Sequence, residues 1–191
     1  MLQTLRTLLA KQYVKLYSPN LFIGITGSVG KTTCMEAAAA VCAEKYKTIT
    51  TKPNLDPALN ISQTLLRINP GTEKVILELK ADRKGEMDFY LSQVKPGVAI
   101  FTKTAYVPGS AFGNTEEILE EQRKLIESLG ETGTAILNWD DNISKKITGH
   151  CSGKLLCYGT DQDNCTVWAG NISIDNFRTS FALNSGVDRV T

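Results

Sequence analysis

The chain has 191 residues, enough for one domain with a buried core and little more. Its 21 basic and 20 acidic residues nearly cancel, which excludes a surface steered as a whole towards nucleic acid or anionic lipid. No apolar run reaches the roughly 18 residues of a membrane span, and the N-terminus lacks the apolar core and cleavage site of a signal peptide, so the expected location is cytoplasmic.

Residues 2 to 17 place Leu2, Leu5, Leu9, Tyr13 and Leu16 at helical spacing, with Arg6, Lys11 and Lys15 outside that stripe. This predicts an amphipathic helix over about residues 1–19 that packs its leucine stripe on the domain. "YSPN" breaks it before a first strand, "LFIGIT". A glycine-containing loop and an alanine-rich helix from about Thr32 to Glu44 follow, and then "KTITT" as a strand. "DPALNISQTLLRI" opens with an Asp cap and a Pro in the first turn and continues with helical periodicity. "KVILELK" reads as strand, "GEMDFYLSQVK" as helix and "GVAIFT" as strand. "NTEEILEEQRKLIESLG" is a capped helix closed by Gly130, "GTAILNW" a strand, and "DDNISKKITGH" a weaker helix.

Strand and helix alternate in this way up to "KLLCYGT", which predicts an α/β fold with a mostly parallel sheet and helices on both faces. From about residue 161 the character changes. "CTVWAGNISID" and "NFRTSFALN" read as two strands around an Asp-Asn turn, so a small antiparallel β extension is expected over 161–191. The chain stops where a further strand pattern begins, which gives it the look of a truncated domain. The domain reading is therefore a helix over 1–19, a nucleotide-binding domain over 20–160, and a β-rich extension of that domain over 161–191.

Chemistry-bearing residues are few. Cys34, Cys42, Cys151, Cys157 and Cys165 form no Cys-x-x-Cys pair and are read as reduced thiols rather than a zinc site. His150 is the only histidine, and its sequence neighbour Cys151 does not make a catalytic pair. The informative stretch is "GITGSVGKTT", residues 24–33. The common phosphate loop is Gly-x-x-x-x-Gly-Lys-Ser/Thr, but its first glycine falls here on Ile25. The shorter form Gly27-x-x-Gly30-Lys31-Thr32-Thr33 still meets the physical needs. Two glycines let the backbone approach an anion, and a helix N-terminus follows a strand. Lys31 supplies a charge for the β- and γ-phosphates, and the Thr32 hydroxyl supplies an oxygen for Mg²⁺. Glu78, near the end of the apolar strand "VILELK", is the second expected Mg²⁺ ligand. Asp82 in "DRKG" also fits the Asp-x-x-Gly of GTPase switches, but no Asn-Lys-x-Asp guanine signature accompanies it.

These segments resemble, in order, the central domain of the Mur ligases, ATP-dependent enzymes that add amino acids to peptidoglycan precursors. "GITGSVGKTT" is similar to the family's nucleotide loop, and "TKPNLDPALNISQTLL" to the Asn-rich segment of its D-alanyl-D-alanine-adding branch, with Asn54 on one of the asparagines. "VILELKADRKGEM" resembles the strand with the metal-binding glutamate, and "VKPGVAIFT", "FGNTEEILEEQRKLI" and "GTAILNWDD" match at compatible intervals over about residues 21–160. The resemblance implies that Thr26, Gly27, Ser28, Val29, Gly30, Lys31, Thr32, Thr33 and Asn54 contact ATP. It implies that Thr32 and Glu78 hold Mg²⁺, and that Lys31 and Glu78 serve catalysis. The implied reaction turns a carboxylate into an acyl phosphate and then an amide, with a peptidoglycan precursor and an amino acid or dipeptide as partners.

The chain departs from the family at five positions. Pro108 stands where the family has a metal-binding histidine, and Gln122 where it has a carbamylated lysine. Lys124 lies two residues further along the same helix and so points elsewhere. Lys80 replaces a glycine after the metal glutamate, and Asn60 and Ser62 replace a Gly and a Pro. An incomplete ligase is the leading expectation. A degenerate nucleotide-binding relative that acts as a regulatory or assembly partner is the alternative, ahead of a GTPase-like switch.

Overall fold

The computed structural model describes residues 2–52, 57–106, 111–186 and 189–190. Helix α1 (Leu2–Val14) and a 3-10 turn (Pro19–Leu21) lead into β1 (Phe22–Thr26), α2 (Lys31–Ala43) and β2 (Thr48–Thr50). Then come α3 (Pro57–Leu65), β3 (Lys74–Glu78), α4 (Glu86–Gln93) and β4 (Val98–Phe101). Helix α5 (Thr115–Ser128), β5 (Thr134–Asn138), a 3-10 helix (Ser144–His150) and β6 (Lys154–Gly159) follow. The chain finishes with β7 (Val167–Asp175), β8 (Arg178–Ser185) and β9 (Arg189–Val190).

Among the described residues, nine strands join one sheet in the order β2-β3-β1-β4-β5-β6-β7-β8-β9. Pairing is parallel from β2 through β7 and antiparallel from β7 to β8 and β9. The expected α/β sheet with an antiparallel end is therefore present, and its hairpin enters alongside β6 as a parallel strand. β1 lies between β3 and β4, so strand order reverses at the C-terminal end of β1, where α/β folds place their ligands.

Alternation along the strands sorts the core into two layers. Phe22, Val75, Leu77, Ala99 and Phe101 face α1, α3, α4 and α5 in one large cluster. Ile25 and Ile76 face the other way, against Met35 of α2, with Ile23, Ile100, Ala38 and Ala39 around them. Gly24 belongs to the crowded side: a Cβ there would lie 2.9 Å from a Leu79 methyl. The alanines of α2 let that helix lie close on the β1–β3 surface beside the phosphate loop.

Two local expectations differ from the structure. The leucine stripe of α1 is not its buried face: Leu5, Leu9 and Leu16 are 52%, 52% and 77% exposed. Ala10 and Val14 are buried instead, with Tyr13 and Tyr17 packed beside them. The neighbouring surface explains the rotation, because it presents polar groups to α1. Thr7 shares a hydrogen bond with the Ser62 hydroxyl (3.2 Å), and the Tyr13 phenol donates to the carbonyl of Ile68 (2.8 Å). Burying Leu5 and Leu9 instead would give up the Thr7–Ser62 hydrogen bond. Within "DDNISKKITGH" the structure has a 3-10 helix, Ser144–His150, rather than an α-helix, preceded by a turn. There Asp141 accepts hydrogen bonds from the Ile143 amide (3.1 Å) and the Ser144 hydroxyl (2.5 Å), a local pairing that competes with the α-helical ladder.

Candidate phosphate-binding site

At the end of β1 the backbone leaves the sheet through Gly27 and enters α2 at Gly30, the helix N-cap. Both glycines have positive φ, +140° and +84°. Gly27 is constrained twice over, since a Cβ there would come within 2.0 Å of the Thr102 hydroxyl oxygen. Gly30 has open space around it and is needed for its backbone conformation alone.

The loop between them is held by the segment that follows β4. The amides of Ser28 and Val29 donate to the carbonyl of Lys103 (2.7 and 3.3 Å). The Thr102 hydroxyl donates to the carbonyls of Val29 (2.7 Å) and Thr26 (3.1 Å), and the Ala105 amide donates to the Ser28 hydroxyl (3.0 Å). With those two amides engaged, the amides left for an anion are those at the start of α2. The first N–H groups of a helix have no intrahelical acceptor, and here they belong to Lys31, Thr32 and Thr33.

Lys31 turns its ammonium back over the loop and donates to the carbonyls of Gly27 (2.7 Å) and Ser28 (3.2 Å). Burial pushes this ammonium below the ordinary lysine range, while Asp82 and Glu78 pull the other way and Lys80 adds to the depression. Opposite it, the Thr32 hydroxyl donates to the Glu78 carboxylate (2.9 Å). Glu78 is placed by its own backbone, whose amide donates to the buried Thr51 hydroxyl (2.9 Å). Burial also pushes the Cys34 thiol up, so it stays protonated and is a poor nucleophile at neutral pH.

These groups line a pocket of ≈ 760 Å³, a size suited to a nucleotide-sized ligand. Of the residues expected from sequence, Ser28, Gly30, Lys31, Thr32, Thr33 and Glu78 meet there. Thr26 is fully buried at the base of the loop, Gly27 forms its tight start, and Val29 points outward with 55% exposure. Asn54 and Pro108 lie outside the described residues. Gln122 is buried, and its carbonyl oxygen accepts from the Thr104 hydroxyl (2.7 Å), so it braces the post-β4 segment against α5. Lys124 points elsewhere, pairing with Asp88 (2.6 Å) and Glu121 (2.8 Å).

Sequence reading missed Thr102, Lys103 and Ala105, whose role is to clamp the loop, and Phe112 and Ile118, which wall the pocket. Their one sequence signal is position: "TKTA" follows a strand that neighbours β1. Thr32 and Glu78 offer a hydroxyl and a carboxylate at contact distance, the hard oxygen donors that Mg²⁺ prefers, so the residues present fit that ion.

The sequence model of the family described as "Mur ligase middle domain" matches residues 25–189. Among curated proteins, the chain is 28% identical over 176 residues to the UDP-N-acetylmuramoyl-tripeptide--D-alanyl-D-alanine ligase of Escherichia coli K12, covering 91% of this chain and 38% of that one. It is 35% identical over 157 residues to the ligase of the same name from Treponema pallidum, covering 81% and 34%. Among solved structures, a MurF crystal structure from Acinetobacter baumannii superposes with a TM-score of 0.88 at 22% identity, over 98% of this chain and 41% of that one. MurF ligase from Thermotoga maritima in complex with ADP gives 0.80 at 22% identity, over 96% and 42%. The chain thus spans about two fifths of the length of these relatives.

Proposed function

The chain belongs to the Mur ligase middle-domain family, and from that premise we propose that it is the ATP-binding part of a ligase that joins a carboxylate to an amine. The observation that carries this reading is the meeting of Lys31, Thr32 and Glu78 in one pocket at the N-terminus of α2. The amides of Lys31, Thr32 and Thr33 hold the phosphates, and the Lys31 ammonium swings from the loop carbonyls to the terminal phosphate. Thr32 and Glu78 hold Mg²⁺, which when bound neutralises phosphate charge. Asn54, carried over from the resemblance, completes the proposed set of nucleotide contacts.

In the proposed reaction a substrate carboxylate oxygen attacks the γ-phosphorus, the bond to the β-bridging oxygen breaks, and ADP leaves. An amine nitrogen then attacks the acyl carbon, the carbon–oxygen bond to phosphate breaks, and an amide, phosphate and a proton result. Positioning and charge do most of this work in phosphoryl transfer, so a loop clamped by five hydrogen bonds is a suitable base for it. The names of the curated relatives point to a UDP-N-acetylmuramoyl-tripeptide and D-alanyl-D-alanine as the partners. A second reading, nucleotide binding without turnover, draws on Gln122: its amide oxygen is already engaged by Thr104 and brings no metal ligand to the pocket.

Calorimetric titration with a non-hydrolysable ATP analogue, with and without Mg²⁺ and against the GTP analogue, tests the proposal. Metal-dependent binding selective for the ATP analogue is expected. Lys31→Ala should abolish it without unfolding the chain, and Glu78→Gln should weaken binding in Mg²⁺ more than binding without metal. Unchanged affinity in the lysine variant would sink the site assignment. An equal loss in both conditions for the glutamate variant would make Glu78 structural.

A further inference from the structure

We infer that Lys80 is a second cation for the terminal phosphate of the bound nucleotide, facing Lys31 across the pocket. The inference rests on the nucleotide-binding reading above and adds a residue to it. Lys80 follows the end of β3 by two residues, and an extended chain puts positions i and i+2 on the same side. Its flanking residues fix which side that is. Leu79 (0% exposed) and Ala81 (5%) are buried in the large core cluster, so Glu78 and Lys80 both turn to the pocket, and both line it.

The turn that carries Lys80 is held in place. The amides of Asp82 and Arg83 both donate to the Glu86 carboxylate (2.9 and 3.1 Å), and Gly85 at positive φ starts α4. Lys80 itself has neither an ion pair nor a hydrogen bond among the described residues, although its side chain is only partly exposed. It shares the pocket lining with Lys31, alongside the carboxylates of Glu78 and Asp82. A phosphate placed between the two ammoniums gains attraction from both. The amides of α2 serve the inner phosphates, and Lys31 reaches the β- and γ-phosphates. A second cation that lines the same pocket as Lys31 therefore meets the terminal phosphate, which ATP has and ADP lacks.

The test compares the ATP analogue AMP-PNP with ADP on the full chain, for the unaltered protein and for Lys80→Ala, Lys80→Arg and Lys31→Ala. Thermal melts establish that each variant is folded. Loss of one charge-assisted contact predicts that Lys80→Ala binds AMP-PNP about tenfold more weakly while ADP affinity moves less than about twofold. Lys80→Arg should keep most of the preference for AMP-PNP. An equal loss for both nucleotides, or no loss for either, would overturn the assignment of Lys80 and leave the site standing. If the unaltered chain binds neither nucleotide, or Lys31→Ala binds both normally, the nucleotide reading falls and the role of Lys80 falls with it.

Discussion

Along β3, Val75 and Leu77 point to the four-helix side and Ile76 to α2, and all three are 0% exposed. Along the β7–β8 hairpin, Ile172, Ile174, Phe181 and Leu183 alternate as cleanly and are 47%, 79%, 55% and 43% exposed, with Phe177 at the tip 99% exposed. The two regions share a sheet and a period, and they differ in cover. Helices lie on both faces of β1, β3 and β4, whereas no helix packs on the outer part of the hairpin among the described residues. Alternation therefore tells which side chains share a face. It does not tell whether anything lies against that face.

The contrast also marks where a strained conformation persists. Gly27 takes a φ that side chains rarely adopt, inside a loop fixed by Thr102, Lys103 and Ala105. The hairpin has its own irregularity, a register shift between Gly170 and Ser173 with Asn171 at φ 52°. An asparagine tolerates the left-handed region, and the exposed ribbon has room to bend there.

Three substitutions, ordered by expected effect, sharpen or break the comparison. Gly27→Ala forces both an unfavourable φ and a contact with the Thr102 hydroxyl, and the two costs together come to roughly 4 kcal/mol. Thermal denaturation should register it as a fall in Tm of more than about 8 °C. A fall of less than about 2 °C would mean that the loop is not rigidly held. Leu77→Ala empties a fully buried position at the centre of the sheet and should cost about 3 kcal/mol by urea unfolding. Ile174→Ser, at an equally apolar position of the hairpin, should change stability by less than about 0.5 kcal/mol. If the serine variant loses as much as the alanine variant, the hairpin face is covered in solution and the contrast is wrong.

Much of the fold was legible. Strands β1 to β5 and β7 fall inside segments whose residues predict a strand, and β8 overruns its segment by one residue, because β-branched runs bounded by turn residues are a local signal. The long helix α5 was equally clear, since Asn114 caps it by accepting from the Glu117 amide (2.9 Å). The face of α1 was not legible. Leu5, Leu9 and Leu16 outweigh Ala10 and Val14 on any hydrophobicity count, yet the buried face carries Ala10, Val14 and the half-buried Tyr13, whose phenol reaches the carbonyl of Ile68.

The candidate site divides in the same way. That the glycine loop and Glu78 meet in one pocket could be expected directly, since glycines, lysine and threonine at short spacing before a helix have few other uses. Thr102 and Ala105 could not, because ordinary residues become a clamp only through neighbours 73 to 77 positions away. Lys80 read as a departure from a pattern until Leu79 and Ala81 were seen to be buried on either side of it.

The sequence by itself determined the order of strands and helices, the glycine loop before α2 and the family, since each rests on residues close together in the chain. Only the tertiary structure decided which face of α1 is buried, what holds the loop, and that Thr32 and Glu78, 46 positions apart, lie within a hydrogen bond of each other. The reason is physical: a side chain's role depends on what packs against it, and parallel pairing brings β1, β3 and β4 together from distant parts of the chain.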